Sequence, residues 1–256
     1  MRRLSDRFAE AAAACPDLAA LATLLEHAAR DLGYDYFALL EHSSLDPQYV
    51  PPAGPAGAGS LLRIDNYPPS WVAEILARGF AADDPVHLAS RRASRGFAWS
   101  ELDAWCALNH RHLQILERSR CHGVGPGFTV PAHVPGEPGA SCSFAVADGA
   151  ALPELGLATA ELVGAHALAA ARRLRPASPA RPRPYLSRRE RQCVRLVAMG
   201  KSDWEIAQIL GLSTETARQY VKRARAAYDL LTRTQLAVHA LRDSWVTFDE
   251  AIPPNG

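Results

Sequence analysis

Five cysteines are present, and Cys15, Cys106, Cys121, Cys142 and Cys193 form neither a C-x-x-C pair nor a metal spacing with histidine. An odd, scattered set excludes a disulfide framework and a zinc site. It fits a reducing cytosol in which thiols act as small apolar side chains. No stretch approaches the roughly 20 apolar residues of a membrane span. The Arg pair and Ala run of MRRLSDRFAEAAAAC imitate a signal peptide, but Asp6, Arg7 and Glu10 break the apolar region and the pattern continues as an amphipathic helix. Also missing are G-x-S-x-G, a Walker loop, H-E-x-x-H and any internal repeat. The nine histidines are scattered, and neither Cys142 nor Ser143 has a nucleophile motif around it. These absences exclude a membrane partner, leave metal and catalytic site residues at none, and place the chain in the cytoplasm.

What is there is unevenly charged. The formal net charge is +1 over 256 residues, a length that suits one or two domains. Residues 1–171 carry twelve Lys/Arg against nineteen Asp/Glu, whereas residues 172–183 hold five Arg and no acid. Residues 184–244 add eleven bases and six acids, and Asp249 and Glu250 close the chain. An acidic body is thus joined to a basic end, and nucleic acid favours the basic end. The join is RPASPARPRPY, whose alternating prolines stiffen a linker and exclude helix.

The basic end can be read turn by turn. Ser187 and Glu190 form an S-x-x-E capping box, opening a helix that runs to Met199 before Gly200. Ser202 and Glu205 repeat it for a second helix that stops at Gly211. Ser213 caps a third, near Thr214 to Tyr228, after only a short turn. Val194, Val197, Ile206, Ala207, Leu210, Leu212, Ala217 and Val221 recur at three- and four-residue spacings that face one small core. That compact pair is a helix-turn-helix, in which the later helix enters the DNA major groove. Arg218, Gln219, Lys222, Arg223 and Arg225 are left for solvent or DNA, as cations for phosphate and forks for base edges.

The front of the chain mixes strand and helix. Residues 1–32 read as one or two amphipathic helices, 34–42 as a strand, 44–60 as a Pro/Gly loop and 61–67 as a strand. Helices follow from about Ser70 to Gly79, after Asp84 with Pro85 in the first turn, and from about Cys106 to Arg120. GFTVPAHV and SCSFAVADG form a hairpin, and a long helix spans about Pro153 to Leu174. The fold class is therefore an α/β (α+β) sandwich, a sheet flanked by helices that can enclose a small ligand, followed by a small all-α domain. Within it, Tyr67, Trp71, Asp84, Pro85 and Trp99 admit two readings. Their O–H, N–H and carboxylate groups converge on one polar ligand group, or the aromatics are core and Asp84 is an N-cap.

Two resemblances bear on these readings. L-S-x-R-E, A-x-G-K-S, E-I-A-x-I-L-G-L-S, T-x-R-x-Y-V and R-T-Q-L-A over about 60 residues resemble the DNA-binding domain of the LuxR family. This implies a four-helix domain whose last helix, near Arg233 to Asp243, helps to pair two copies. By that resemblance the DNA-facing residues are Thr214, Arg218, Gln219, Lys222 and Arg223; family members often carry Val at the place of Ala217. Tyr67-Pro-Pro-Ser-Trp71, Asp84-Pro85, Trp99 and Gly127-Phe-Thr-Val-Pro131 resemble the autoinducer-binding domain of quorum-sensing LuxR regulators. The resemblance implies an N-acyl homoserine lactone ligand and no cofactor. Trp71 would donate to the lactone carbonyl, Asp84 would accept the amide N–H, and Tyr67 would help to hold the acyl carbonyl. Trp99 would wall the lactone, and Gly127 would keep the backbone close-packed. Ser143 would assist from the last strand, or Cys142 if the loop differs by one residue. Ile75 stands where the family usually has a Tyr for the acyl carbonyl, which alters the acyl end of the site.

The expected organisation is an autoinducer-binding domain at 1–174, a linker at 175–185, a helix-turn-helix domain at 186–244 and a tail at 245–256. The expected function is a ligand-responsive transcription regulator, a homodimer on palindromic double-stranded promoter DNA. A regulator of the same type sensing a non-lactone molecule is the alternative. A lactone-hydrolysing enzyme finds no support in motifs, and a phosphorylation-controlled response regulator needs acids elsewhere than Asp83 and Asp84.

Overall fold

The computed structural model describes residues 4–42, 62–134, 139–153, 156–175 and 183–252. The expected loop at 44–60 and most of the expected linker lie outside the described residues. Two compact units are present, residues 1–178 and 179–256.

In the first unit, α1 (Leu4–Ala14) and α2 (Leu18–Asp31) are separated at Cys15-Pro16-Asp17, where the Asp17 carboxylate accepts from Ala20 N at 2.8 Å. β1 (Tyr36–Glu41) pairs antiparallel with β2 (Arg63–Asp65). β2 is shorter than its alternation suggests. Asn66 leaves the ladder, its side chain accepting from Phe37 N and donating to Asp35 O, and two prolines follow. α3 (Pro69–Arg78) ends at Gly79 in the left-handed conformation, φ 61°. α4 (Pro85–Ser90), β3 (Phe97–Ala98) and α5 (Leu102–Trp105) come next. The helix expected from Cys106 starts later, as α6 (His110–Cys121). Cys106 is extended, and Asn109 forms the cap by accepting from His112 N at 3.0 Å.

β4 (Val124–Ala132) and β5 (Ala140–Ala147) form the hairpin, and α7 (Leu157–Leu174) closes the unit. The five strands make one antiparallel sheet in the order β2-β1-β5-β4-β3. Strand periodicity gives the sheet two apolar faces. Phe37, Leu39, Phe128, Val130, Cys142 and Phe144 pack against α1, α2 and α7 as the main core. Ala38, Leu40, Thr129, Ser143 and Ala145 face the other way, towards α3, α4 and α6.

The second unit is helical: α8 (Arg188–Ala198), α9 (Asp203–Leu210), α10 (Thr214–Ala227), α11 (Arg233–Arg242) and α12 (Phe248–Ala251). The Ser187/Glu190 and Ser202/Glu205 boxes are formed reciprocally, and Thr232/Gln235 and Thr247/Glu250 add two more. Val194, Val197, Ile206, Ala207, Ala217 and Val221 are buried in one core, with Leu210 partly buried against it. That core continues beyond residue 244. Val246 is buried, Trp245 Nε1 donates to the Tyr228 hydroxyl at 2.9 Å, and Arg195 pairs with Glu250 of α12. Four of the five free cysteines are buried as small apolar groups. Cys121, at the end of α6, is exposed, contrary to expectation. Among the described residues no helix is long and apolar enough to cross a membrane.

Candidate functional site

Between the inner sheet face and α3, α4 and α6 lies a cavity of about 70 Å³. One water needs about 10–15 Å³ on this scale, so the space holds several. Tyr67, Trp71, Ile75, Asp84, Trp99 and Ser143 all line it. The fold explains how. Tyr67 precedes α3, Trp71 and Ile75 lie one turn apart on its inner face, Asp84 starts α4, Trp99 follows β3, and Ser143 points inward from β5. Register decides between the two candidates on β5: Ser143 lines the cavity and Cys142 packs in the core on the opposite face.

The polar groups of the cavity divide into spent and open ones. The Trp99 indole N–H donates to Thr129 Oγ1 at 2.9 Å, and Thr129 Oγ1 lies 2.8 Å from Ser143 Oγ. Trp99 therefore offers a ring wall, with its donor already used. A Cβ at Gly127 would meet Trp99 at 2.6 Å and Phe144 O at 2.8 Å, so glycine lets the wall close on the strand. Asp84 serves twice. Its Oδ1 accepts from Val86 N at 2.8 Å as the cap of α4, whereas Oδ2 stands 3.7 Å from His87 Nδ1, too far for a hydrogen bond. Asp84 is thus the helix cap of the second reading, and it also lines the cavity. Among the described residues no protein group accepts from the Trp71 N–H or the Tyr67 O–H. Burial pushes the Tyr67 phenol well above its usual range, with the charges of Asp84 and Asp65 adding to it, so it stays a donor.

Several lining residues were not singled out from the sequence. Arg63 and Asp65, paired at 2.6 Å on β2, sit on the cavity, and Thr129 is the hidden link between Trp99 and Ser143. His87 lies one turn beyond Asp84, its ring 5.2 Å from that of His42. Burial, followed by the charges of His87, Arg91 and His133, pushes the His42 imidazole down to about 3, so it is neutral. The i, i+3 spacing of Asp84 and His87 was the available signal for His87.

On the second unit, α10 packs Ala217, Val221 and Ala224 inward and exposes Arg218, Gln219, Lys222 and Arg223, with Thr214 in its first turn. Glu215 holds two of these: Arg218 Nη1 at 2.9 Å and Gln219 Nε2 at 2.9 Å. Arg225 departs from expectation. Its guanidinium donates to Leu231 O at 2.7 Å, tying α10 to the following turn.

Both units match families of known proteins. The model of the autoinducer binding domain matches residues 17–174, and that of bacterial regulatory proteins, luxR family, matches residues 184–240. The chain is 31% identical over 191 residues to the transcriptional activator protein VanR of Vibrio anguillarum, covering 72% of this chain and 77% of that protein. It is 29% identical over 220 residues to the regulatory protein SdiA of Escherichia coli, covering 84% and 85%. The crystal structure of Escherichia coli SdiA shares the fold with a TM-score of 0.61 at 23% identity, covering 95% of this chain and 98% of that one. The chain belongs to the luxR family of bacterial regulatory proteins, as a quorum-sensing transcription regulator with an autoinducer-binding domain ahead of its DNA-binding helix-turn-helix.

Proposed function

We propose that this regulator binds an N-acyl homoserine lactone in the cavity of its first unit and, as a homodimer in the cytoplasm, grips a palindromic promoter site through α10. The observation that carries the ligand reading is the set of open groups in one largely apolar cavity. The Trp71 N–H and Tyr67 O–H are free donors, and Asp84 Oδ2 is a free acceptor. A lactone carbonyl, an acyl carbonyl and an amide N–H are the complementary groups, assigned to Trp71, Tyr67 and Asp84 respectively. Ser143, steadied by Thr129, is the fourth polar contact, Trp99 closes the lactone end, and Ile75 faces the acyl group. Arg218, Lys222 and Arg223 neutralise phosphates, Gln219 reads a base edge, and Thr214 meets the backbone at the start of the helix. Two copies place two recognition helices in half-sites about one helical turn apart.

A ligand bound only by the native state raises stability by about 2.7 kcal/mol at 100 times its Kd. Thermal melts with an intact lactone and with its ring-opened acid test the reading directly. Protection by the intact ring alone supports it, and equal protection by both, or by neither, sinks it.

A non-lactone acyl ligand is the second reading, favoured by Ile75 and by the polar lining at Arg63, Asp65 and His87. SdiA has been solved in complex with octanoyl-rac-glycerol. Hydrolysis of the ligand is not part of the proposal, because Ser143 bonds Thr129 rather than a histidine base, and VanR and SdiA are regulators.

A further inference from the structure

We infer that His87 is a specificity residue of the cavity, reading a hydroxyl group carried by the ligand within a few bonds of its amide. This rests on the ligand site proposed above. The imidazole lines the cavity beside Asp84, and its side chain is 12% exposed. Two contacts fix the ring. Nδ1 lies 3.3 Å from the Ala81 carbonyl oxygen, and the His42 ring lies 5.2 Å from its own. His42 is itself held by Ser141 at 3.0 Å. A carbonyl only accepts, so Nδ1 carries the hydrogen and Nε2 is the nitrogen left for a ligand.

The identity of the group follows from Nε2. In the singly protonated ring Nε2 accepts, and in the imidazolium it donates. A hydroxyl pairs with either form, a keto oxygen only with the imidazolium, and a methylene with neither. An unsubstituted acyl chain packed there leaves a buried nitrogen unpaired, which is penalised. An anionic group is disfavoured by the Asp84 carboxylate alongside. The position along the ligand follows from Asp84, the proposed amide acceptor, whose Oδ2 is 3.7 Å from His87 Nδ1.

The test uses the full chain and thermal or calorimetric titration with acyl and β-hydroxyacyl homoserine lactones of equal chain length, plus a monoacylglycerol of the same acyl group. Wild type should prefer the hydroxyacyl lactone by about three- to tenfold, the worth of one net hydrogen bond. His87→Val should erase that preference, and His87→Gln, whose amide both donates and accepts, should retain part of it. Melting of each variant without ligand separates loss of folding from loss of reading. A wild type without the preference, or His87→Val that keeps it, overturns the inference while leaving the lactone reading intact. Binding of the monoacylglycerol alone, an ester with no amide, overturns the lactone reading and with it the placement of the hydroxyl beside an amide. Failure of every probe to bind wild type overturns both.

Discussion

The His122 ring lies 5.7 Å from the Trp71 ring, and both of its nitrogens are held by the helix that carries Trp71. Nδ1 is 2.9 Å from Ser70 Oγ and Nε2 is 2.5 Å from Glu74 Oε2. Glu74 also takes two bonds from Arg118 at 2.7 Å and pairs with Arg78 at 2.9 Å. One carboxylate thus bolts α3 to α6 and sets the imidazole against the indole that lines the cavity.

That arrangement has a pH signature. The Arg118 hydrogen bonds first, then that of His122, hold the Glu74 carboxyl down to about 2 from an ordinary 4.5. A depressed folded-state pKa contributes stability that is complete above the unfolded value and is lost as pH falls through the folded one. We therefore expect Glu74→Gln to lower the melting temperature most at neutral pH. Its deficit against wild type should shrink as pH falls from 4.5 towards 2. A deficit independent of pH would mean that the side chain acts by shape alone. Trp71 fluorescence should shift in the same variant.

Gly127→Ala addresses the opposite wall. The added Cβ would press on Trp99 at 2.6 Å and on Phe144 O at 2.8 Å, and the backbone oxygen cannot step aside. Overpacking of this kind costs about 1–3 kcal/mol. Urea unfolding should show that loss, with ligand protection reduced because Trp99 moves. Unchanged stability would show that Trp99 has room to retreat.

How far the sequence could carry these arguments depended on the range of the forces involved. The Ser187/Glu190 and Ser202/Glu205 boxes act within one turn, so the helix starts were legible residue by residue. α6 starts several residues after Cys106 because the Asn109 cap, and not the preceding apolar residues, sets its first turn. β3 has two residues and no periodicity to detect. Tyr67, Trp71, Asp84 and Trp99 were legible because their motifs recur in a known family. Their partners were not, since Thr129, Arg63 and Asp65 meet the site only through strand register. The choice of Ser143 over Cys142 needed that register too, because a slip of one residue exchanges the faces.

Asp84→Asn separates cap from ligand contact. Asparagine caps α4 nearly as well, so stability without ligand should change little. The oxygen beyond the cap becomes an amide that can present N–H to the ligand N–H. Lactone protection in thermal melts should therefore be blunted in the mutant. Equal shifts in both proteins would reduce Asp84 to its capping role.

On α10, Lys222→Ala should weaken binding to all DNA sequences and flatten the salt slope by about one phosphate contact. Gln219→Ala should relax preference at one position of the site. Glu215→Gln should act in the other direction. It removes an anion from the exposed face of α10 and weakens the hold on Arg218, which is left with Asp203 at 3.8 Å, so affinity for unrelated DNA should rise. Fluorescence anisotropy at several salt concentrations measures all three. If Lys222→Ala and Gln219→Ala leave affinity and slope untouched, α10 does not lie in the groove.

Ile75 lines the cavity with an apolar side chain at the place where the resemblance drawn from the sequence implies a tyrosine. A tyrosine there would add a hydroxyl able to bond the acyl carbonyl, worth about 0.5–1.5 kcal/mol net. It would also be larger than isoleucine, and the cavity of about 70 Å³ has little space to give. The two effects act on different ligands: the bond favours any acyl amide, and the lost volume penalises long, branched or aromatic acyl groups. Trp71 and Asp84 are separate anchors and remain. Ile75→Tyr should therefore shift the ranking towards short, straight acyl chains by up to about tenfold without abolishing lactone recognition. A dose–response reporter panel of straight, branched and aryl lactones decides it. An unchanged ranking removes Ile75 from the acyl site, and silence with every lactone in both proteins points to the non-lactone reading.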